Sequence, residues 1–236
     1  MVLNLIECDV LYDDLIDDYK SYGTMFERLF TGLTQAPLNV EYHSAIERRL
    51  PEPQPSHVYL ITGSKFGAYE DEVWIHELST WVRSAYESGA KLLGICFGHQ
   101  IIAQALGGHV INSPKGWGVG IRQLMVSEQP YISDDVWLPK FLNLIYSHQD
   151  QVVDLPRDAL TFLSDDFCPN GGFFIGKQVI TLQGHPEFDA EYTKRLLGRR
   201  AQHIGLERYD AGMQSLKEKT DNALIGQYLL KWMQSD

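Results

Sequence analysis

The chain contains 236 residues and carries a formal net charge of −11 at pH 7. Such an acidic balance argues against nucleic acid or an anionic membrane surface as a partner. The length is enough to bury a full hydrophobic core. We predict a single domain over residues 1–236, since α/β folds often reach this size without splitting.

Alternating segments in the first part of the chain indicate the fold class. β-rich apolar runs predict strands, and apolar residues at helical spacing predict helices, in the order strand 2–6, helix 19–33, strand 38–42, strand 57–62, helix 72–88 and strand 91–95. Strands that alternate with helices imply an α/β fold with a doubly wound, mostly parallel sheet flanked by helices. Ligands of such sheets bind beyond the carboxyl ends of the strands.

A cysteine flanked by glycines follows the strand predicted at 91–95. The segment Gly94-Ile95-Cys96-Phe97-Gly98-His99-Gln100 leads into a helix-like run at 100–106. This pattern is typical of a nucleophile elbow, in which a sharp turn lifts the sulfur above the sheet edge. The helix N-terminus then favours thiolate over thiol at Cys96. A buried structural cysteine within a parallel sheet is the alternative.

The middle third of the chain differs in composition. Short segments rich in glycine, aromatic and β-branched residues occur at 107–110, 118–126, 143–147, 161–163 and 172–175. They predict a small antiparallel β insertion beside the parallel sheet. Two helices, predicted at 189–200 and 216–233 from the spacing of their apolar residues, close the chain.

A histidine and a glutamate follow the β-rich run at 179–182. A thiolate nucleophile needs a base that takes and returns a proton, and the base needs an acceptor that fixes its tautomer. His185 and Glu187 supply both residue types, and on extended chain their side chains share one face. Pro186 holds the preceding histidine extended. A surface turn after the strand is the alternative interpretation.

The three cysteines, Cys8, Cys96 and Cys168, are odd in number and widely spaced. This spacing gives neither a disulfide framework nor a zinc-binding pattern. No basic region precedes an apolar run near the N-terminus, and no apolar run approaches the length of a membrane span. We therefore predict a cytoplasmic protein without a membrane partner, in a reducing compartment where an active thiol survives.

The two segments together resemble the class I glutamine amidotransferases. The family motif G-x-C-x-G-x-Q is matched by residues 94–100, and the motif Q-x-H-P-E is matched by residues 183–187, in the family's order. The resemblance extends over at least residues 58–188, most of the chain. It implies the flavodoxin-like fold of that family, with Cys96 as nucleophile, His185 as general base and Glu187 as the carboxylate that orients it.

An oxyanion hole is the third part of a thiol acyl-transfer site. The predicted strand 57–62 ends at Gly63, and the backbone N–H of this glycine is one candidate donor. The N–H of Phe97, directly after the nucleophile, is the other. Two such donors stabilise the developing oxygen charge by a few kcal/mol each. The family writes the first loop G-G-P, whereas this chain has Thr62-Gly63-Ser64-Lys65.

The resemblance also implies residues that hold the substrate. Gln100 occupies the position at which family members bind glutamine, although a polar residue in the first helical turn needs no such role. Ser147 and His148 belong to a segment of the S-H-x-D type that borders the glutamine pocket in some members; a plain loop histidine is the alternative. His99 lies beside the predicted elbow and is therefore an alternative candidate for the general base. Its place in the first helical turn predicts that it points away from the sulfur.

The implied activity is hydrolysis of a γ-glutamyl amide through a γ-glutamyl thioester, without a metal or an organic cofactor. No G-x-x-x-x-G-K-[ST] phosphate loop occurs in the chain. The Gly63-Ser64 form and the Ser147-His148-Gln149-Asp150 segment resemble stand-alone members related to the amidotransferase domain of GMP synthase, which include γ-glutamyl peptidases. We therefore expect a stand-alone hydrolase that acts on glutamine or on a γ-glutamyl peptide or conjugate.

Two other functions stay open at this point. The chain could be a glutaminase subunit that passes ammonia to a separate ATP-dependent synthetase, and the sequence does not decide between a synthetase partner and a homo-oligomer. It could instead be a catalytically silent regulatory or scaffold protein that has kept the fold.

Overall fold

The computed structural model describes residues 2–133 and 136–235. The first half of the chain forms β1 (Val2–Glu7), α1 (Asp13–Tyr19), α2 (Tyr22–Thr31), β2 (Asn39–Ser44), β3 (Val58–Ile61), α3 (Val73–Glu87), β4 (Lys91–Ile95) and α4 (Phe97–Ala105). The second half forms β5 (His109–Asn112), β6 (Gly118–Val126), β7 (Phe141–His148), β8 (Asp150–Asp154), β9 (Leu160–Ser164), β10 (Gly172–Ile175), β11 (Val179–Leu182), α5 (Ala190–Ile204), α6 (Leu206–Ser215) and α7 (Asn222–Gln234).

Most of these strands belong to one mixed sheet. Among the described residues the sheet has nine strands in the order β2-β1-β3-β4-β11-β10-β9-β6-β7. Strands β2, β1, β3, β4 and β11 are parallel to one another, and β10, β9, β6 and β7 continue the sheet in antiparallel pairs. The predicted α/β class is confirmed. The antiparallel strands extend the main sheet, while β5 and β8 form a separate two-stranded sheet.

The central strands are buried on both faces, which explains their continuous apolar sequences. All residues of β3 and β11 are buried, as are the last four of β4. Helices α2 and α7 cover one face with buried side chains that include Phe26, Phe30 and Trp232. Helices α3 and α4 cover the other face. No helix in the described part of the chain is both long enough and apolar enough to cross a membrane.

The predicted helices differ from the observed ones mainly where the structure interrupts a helix that the sequence predicted as continuous. The helix predicted at 19–33 is two helices, because Lys20 has a φ of +66° and Ser21 starts α2 by accepting a hydrogen bond from Thr24 N at 3.1 Å. The helix predicted at 216–233 is likewise wrong at its start. Leu216 caps the end of α6, which the sequence did not predict, and α7 begins only at Asn222.

Candidate active site

Cys96 lies at the turn between β4 and α4, in a strained backbone conformation. Its φ is +54° and its ψ is −102°, a region that residues with a side chain rarely adopt. A Cβ added at Gly94 would lie 2.5 Å from the Gly98 carbonyl oxygen, and one at Gly98 would lie 2.1 Å from the Ile61 carbonyl oxygen. Only glycine fits at these two positions, so the predicted elbow is present in the structure.

Parallel pairing of β4 with β11 brings the histidine segment to the cysteine. Cys96 N donates to the Leu182 carbonyl oxygen at 2.8 Å, and His185 N donates to the Ile145 carbonyl oxygen on β7 at 2.8 Å. His185 Nδ1 is 2.7 Å from Glu187 Oε1, and both side chains are almost fully buried. The other ring nitrogen is not used by Glu187, and His185 lines the same small cavity as Cys96.

The electrostatics of this cluster favour a protonated histidine. Burial lowers the pKa of His185, but the Glu187 carboxylate and the Cys96 side chain raise it by more, and the resulting pKa is about 10. An imidazolium beside a sulfur is one of the arrangements that promote thiolate formation. The ring of Phe188 stacks on the His185 ring with a centroid distance of 3.9 Å and an interplanar angle of 5°, which fixes its orientation.

His99 lies in the core of the protein. Its Nδ1 is 2.8 Å from Thr181 Oγ1, and its ring centroid is 5.2 Å from that of Phe173. Burial, and secondarily the nearby His148, lowers the pKa of His99 to about 3. These contacts hold His99 against β10 and β11, in agreement with the prediction that it points away from the sulfur.

A cleft of about 210 Å³ opens beside Cys96, and all three predicted substrate residues line it. Gln100 Nε2 donates to the Asp150 carbonyl oxygen at 3.0 Å and to Gln183 Oε1 at 3.1 Å. Ser147 and His148 form the end of β7. These hydrogen bonds fix the Gln100 amide at the wall of the cleft.

His148 is held as a neutral ring. Its Nδ1–H donates to the Asp150 carbonyl oxygen at 2.9 Å. Burial is the main reason that its pKa is lowered to about 4. Its Nε2 is buried and has no hydrogen-bond partner among the described residues.

Gly63, a predicted oxyanion donor, lies beside Cys96 and His185. A Cβ added to it would be 3.1 Å from His185 Cε1 and 3.6 Å from Cys96 Cβ. Over the residues that the structure describes, the backbone N–H groups of Gly63 and Phe97 donate to no other protein group. Both are therefore free to donate to a substrate oxygen.

Arg200 also lines the cleft, and the sequence did not predict it. Its Nη1 donates to Ser147 Oγ at 3.0 Å, and its guanidinium lies 5.5 Å from the Trp117 ring centroid. Within residues 2–133 and 136–235 it forms no ion pair. One feature of the sequence could have indicated Arg200. A helix starts soon after Glu187, and part of that helix must therefore lie over the site.

The fold and the site define an α/β protein with a buried Cys–His–Glu cluster at the carboxyl edge of its sheet. Residues 14–200 match the family model described as Glutamine amidotransferase class-I. This match covers most of the chain, and the chain belongs to the class I glutamine amidotransferase family.

Two relatives agree with this membership. Over 168 residues the chain is 32% identical to a Saccharomyces cerevisiae protein that is classed by name with the glutamine amidotransferases, across 70% of this chain and 66% of the yeast protein. Over 188 residues it is 30% identical to gamma-glutamyl peptidase 3 of Arabidopsis thaliana, across 76% of this chain and 75% of the plant protein. The family and these relatives support hydrolysis of a glutamine-type amide as the general activity.

Solved structures show the same fold. A glutamine amidotransferase from Thermotoga maritima superposes with a TM-score of 0.78 at 19% sequence identity, with all of both chains covered. A glutamine amidotransferase from Methylobacillus flagellatus superposes with a TM-score of 0.73 at 18% identity, with 99% of this chain and 94% of that chain covered.

The close contact between α4 and β3 generates a stability prediction. Gly98→Ala should lower the free energy of unfolding by about 3 kcal/mol, because its new methyl group overlaps the Ile61 carbonyl oxygen. Gly198→Ala on α5 is the matched control, since a Cβ there meets nothing within 4 Å, and it should raise stability by about 0.5 kcal/mol. Urea denaturation checks both values, and equal effects would contradict the close packing.

The His185–Glu187 pair generates a titration prediction. NMR of the imidazole protons should show His185 titrating well above the ordinary value of about 6.5. Glu187→Gln should lower that pKa by about one to three units, because the buried carboxylate charge is removed. A raised folded-state pKa stabilises the fold fully below about pH 6.5, and this stabilisation is lost as pH rises towards about 10. The stability advantage of the unmodified chain over Glu187→Gln should shrink across that window; a constant difference would contradict it.

Proposed function

We propose that the chain hydrolyses a γ-glutamyl amide bond through a thioester on Cys96, and that it does so without a synthetase partner. The observation that carries this proposal is that Cys96 and the buried His185–Glu187 pair adjoin one small cavity, and that Cys96 also lines an open cleft. A thiol, a base and a carboxylate that orients the base are the parts that nucleophilic acyl transfer requires.

The proposed reaction uses these groups in sequence. The Cys96 thiolate attacks the γ-carbonyl carbon, and the backbone N–H groups of Gly63 and Phe97 stabilise the resulting oxyanion. Collapse expels the amine, which takes a proton from the His185 imidazolium and leaves the thioester. The neutral His185 then accepts a proton from water as the water attacks the thioester. Release of glutamate regenerates thiolate and imidazolium, while Glu187 holds the ring in place.

The charges in the cleft match the free end of a γ-glutamyl group. That group carries an α-carboxylate and an α-ammonium, and the cleft contains the Arg200 guanidinium together with the carboxylates of Glu70 and Asp150. Asp150 also accepts hydrogen bonds from Asn112 and Tyr69. We assign the substrate carboxylate to Arg200, which leaves the amide directed towards Cys96.

A γ-glutamyl peptide or conjugate is the substrate class that we favour. The plant relative named as a gamma-glutamyl peptidase supports this choice. The leaving group needs space beyond the amide, and we assign the loop at residues 65–69, which borders the cleft, as the wall of that space. The three cysteines are free thiols, which suits a reducing compartment such as the cytoplasm.

Thiol reactivity tests the assignment of the nucleophile. Brief treatment with iodoacetamide at neutral pH should alkylate Cys96 at least about tenfold faster than Cys8 or Cys168, as measured by mass spectrometry. Cys8 and Cys168 are fully buried, and burial raises the pKa of both thiols, that of Cys168 to about 12. Faster labelling of Cys168, or no labelling of Cys96, would contradict the proposal and favour a catalytically silent protein.

Steady-state kinetics test the activity itself. The purified chain should hydrolyse a γ-glutamyl dipeptide by itself, and Cys96→Ala should abolish turnover. His185→Asn should lower kcat almost as much, and Glu187→Gln should leave more residual activity, because the triad acts as a unit and the carboxylate only orients the base. His76→Asn, at an exposed histidine on α3, is the matched control and should be neutral.

The same assay separates the two enzymatic alternatives. Negligible turnover of glutamine and of the dipeptide, combined with strong stimulation by a copurifying ATP-dependent synthetase, would overturn the stand-alone proposal in favour of a glutaminase subunit.

A further inference from the structure

We infer that Asp9, a residue of the loop after β1, is a positioning residue for the oxyanion hole. It acts through the main chain of residues 62–65 and does not touch the substrate. The inference rests on the proposed function, and it adds a residue that neither family motif contains.

The Asp9 carboxylate is buried and fully engaged by neighbouring donors. Its side chain is 4% exposed. It accepts hydrogen bonds from Val10 N at 2.8 Å, Lys65 N at 2.9 Å and Lys65 Nζ at 2.9 Å. Hydrogen bonds to an ionised acceptor are the strong ones, so the loop after β1 holds the main chain of Lys65 firmly.

A second anchor holds the other end of this short segment. Thr62 Oγ1 accepts a hydrogen bond from Cys8 N at 3.0 Å, and the Thr62 carbonyl oxygen accepts one from Gly98 N at 3.1 Å. Thr62 N donates to the Ile6 carbonyl oxygen at 3.1 Å. The segment is thereby fixed to β1 on one side and to the nucleophile elbow on the other.

Gly63 and Ser64 lie between these two anchors, and Gly63 adjoins both Cys96 and His185. Glycine has no side chain to restrict its backbone, so the direction of its N–H depends on what fixes the chain around it. An oxyanion donor must lie within about 3 Å of the developing charge to be effective. The hydrogen bond from Lys65 N to Asp9 restrains the backbone around Gly63 on the side away from the elbow.

Two substitutions separate the main-chain hydrogen bond from the ion pair. Asp9→Ala removes both interactions and should lower kcat on a γ-glutamyl dipeptide by about 10- to 100-fold, with KM within threefold. Asp9→Asn removes the charge that pairs with the Lys65 ammonium but still offers one oxygen to Lys65 N. This variant should keep kcat within about fivefold of the unmodified chain.

Asp221→Ala is the matched structural control. Asp221 accepts a hydrogen bond from the backbone N–H of Asn143 at 2.7 Å, and neither residue lines the cleft. This variant loses a carboxylate-to-main-chain bond of the same kind. It should reduce stability without changing kcat.

Alkylation of Cys96 by iodoacetamide distinguishes positioning from general damage to the site. In this displacement the thiolate replaces iodide at a saturated carbon, and no tetrahedral oxyanion forms. Asp9→Ala should therefore be alkylated within threefold of the unmodified rate, although its kcat is much lower.

Three results would overturn the inference. Alkylation that falls in proportion to kcat would show that Asp9 supports the thiol or the fold as a whole. A loss of kcat in Asp9→Asn as large as that in Asp9→Ala would assign the effect to the ion pair. An unchanged kcat in Asp9→Ala would show that the donor needs no such restraint. Absence of turnover in the unmodified chain, by contrast, would overturn the proposed function and this inference with it.

Discussion

The crossing of α4 over the carboxyl ends of β3 and β4 is the constraint on which the site depends. At Gly98 the helix backbone lies so close to the Ile61 carbonyl oxygen that a single methyl group cannot be inserted. This contact fixes where Cys96 projects relative to Gly63. Parallel pairing of β4 with β11 then sets where His185 arrives, because Leu182 is in register with Ile95. The geometry of the cluster is thus a consequence of backbone packing in the sheet.

Neighbouring groups determine whether a buried histidine near the site is charged. Isolated burial would hold His185 neutral, and it does so for His148 and His99, whose pKa values are lowered to about 4 and about 3. Of these three buried histidines, only His185 has a carboxylate at hydrogen-bond distance, Glu187, and its pKa is raised. The pKa values of these three buried histidines therefore differ because Glu187 and Cys96 adjoin only His185.

The sequence predicted the features that local chemistry determines. The elbow around Cys96 and the His185 segment depend on short motifs, and the parallel strands depend on apolar runs. All of these features could therefore be predicted from the sequence. The break at Lys20 was not, since it depends on one backbone angle inside a segment with continuous helical spacing. Arg200 and Asp9 were missed for a different reason. Each reaches the site from another element through tertiary packing, and no short motif around either residue assigns it to the site.

The positive φ of Cys96 implies a trade-off between stability and activity at one residue. A side chain in this conformation costs about 1–3 kcal/mol, whereas glycine adopts it without strain. Cys96→Gly would remove the proposed nucleophile and at the same time relieve that strain. A library of variants selected for thermal resistance alone would therefore enrich glycine at position 96, and the same library selected for turnover would eliminate it.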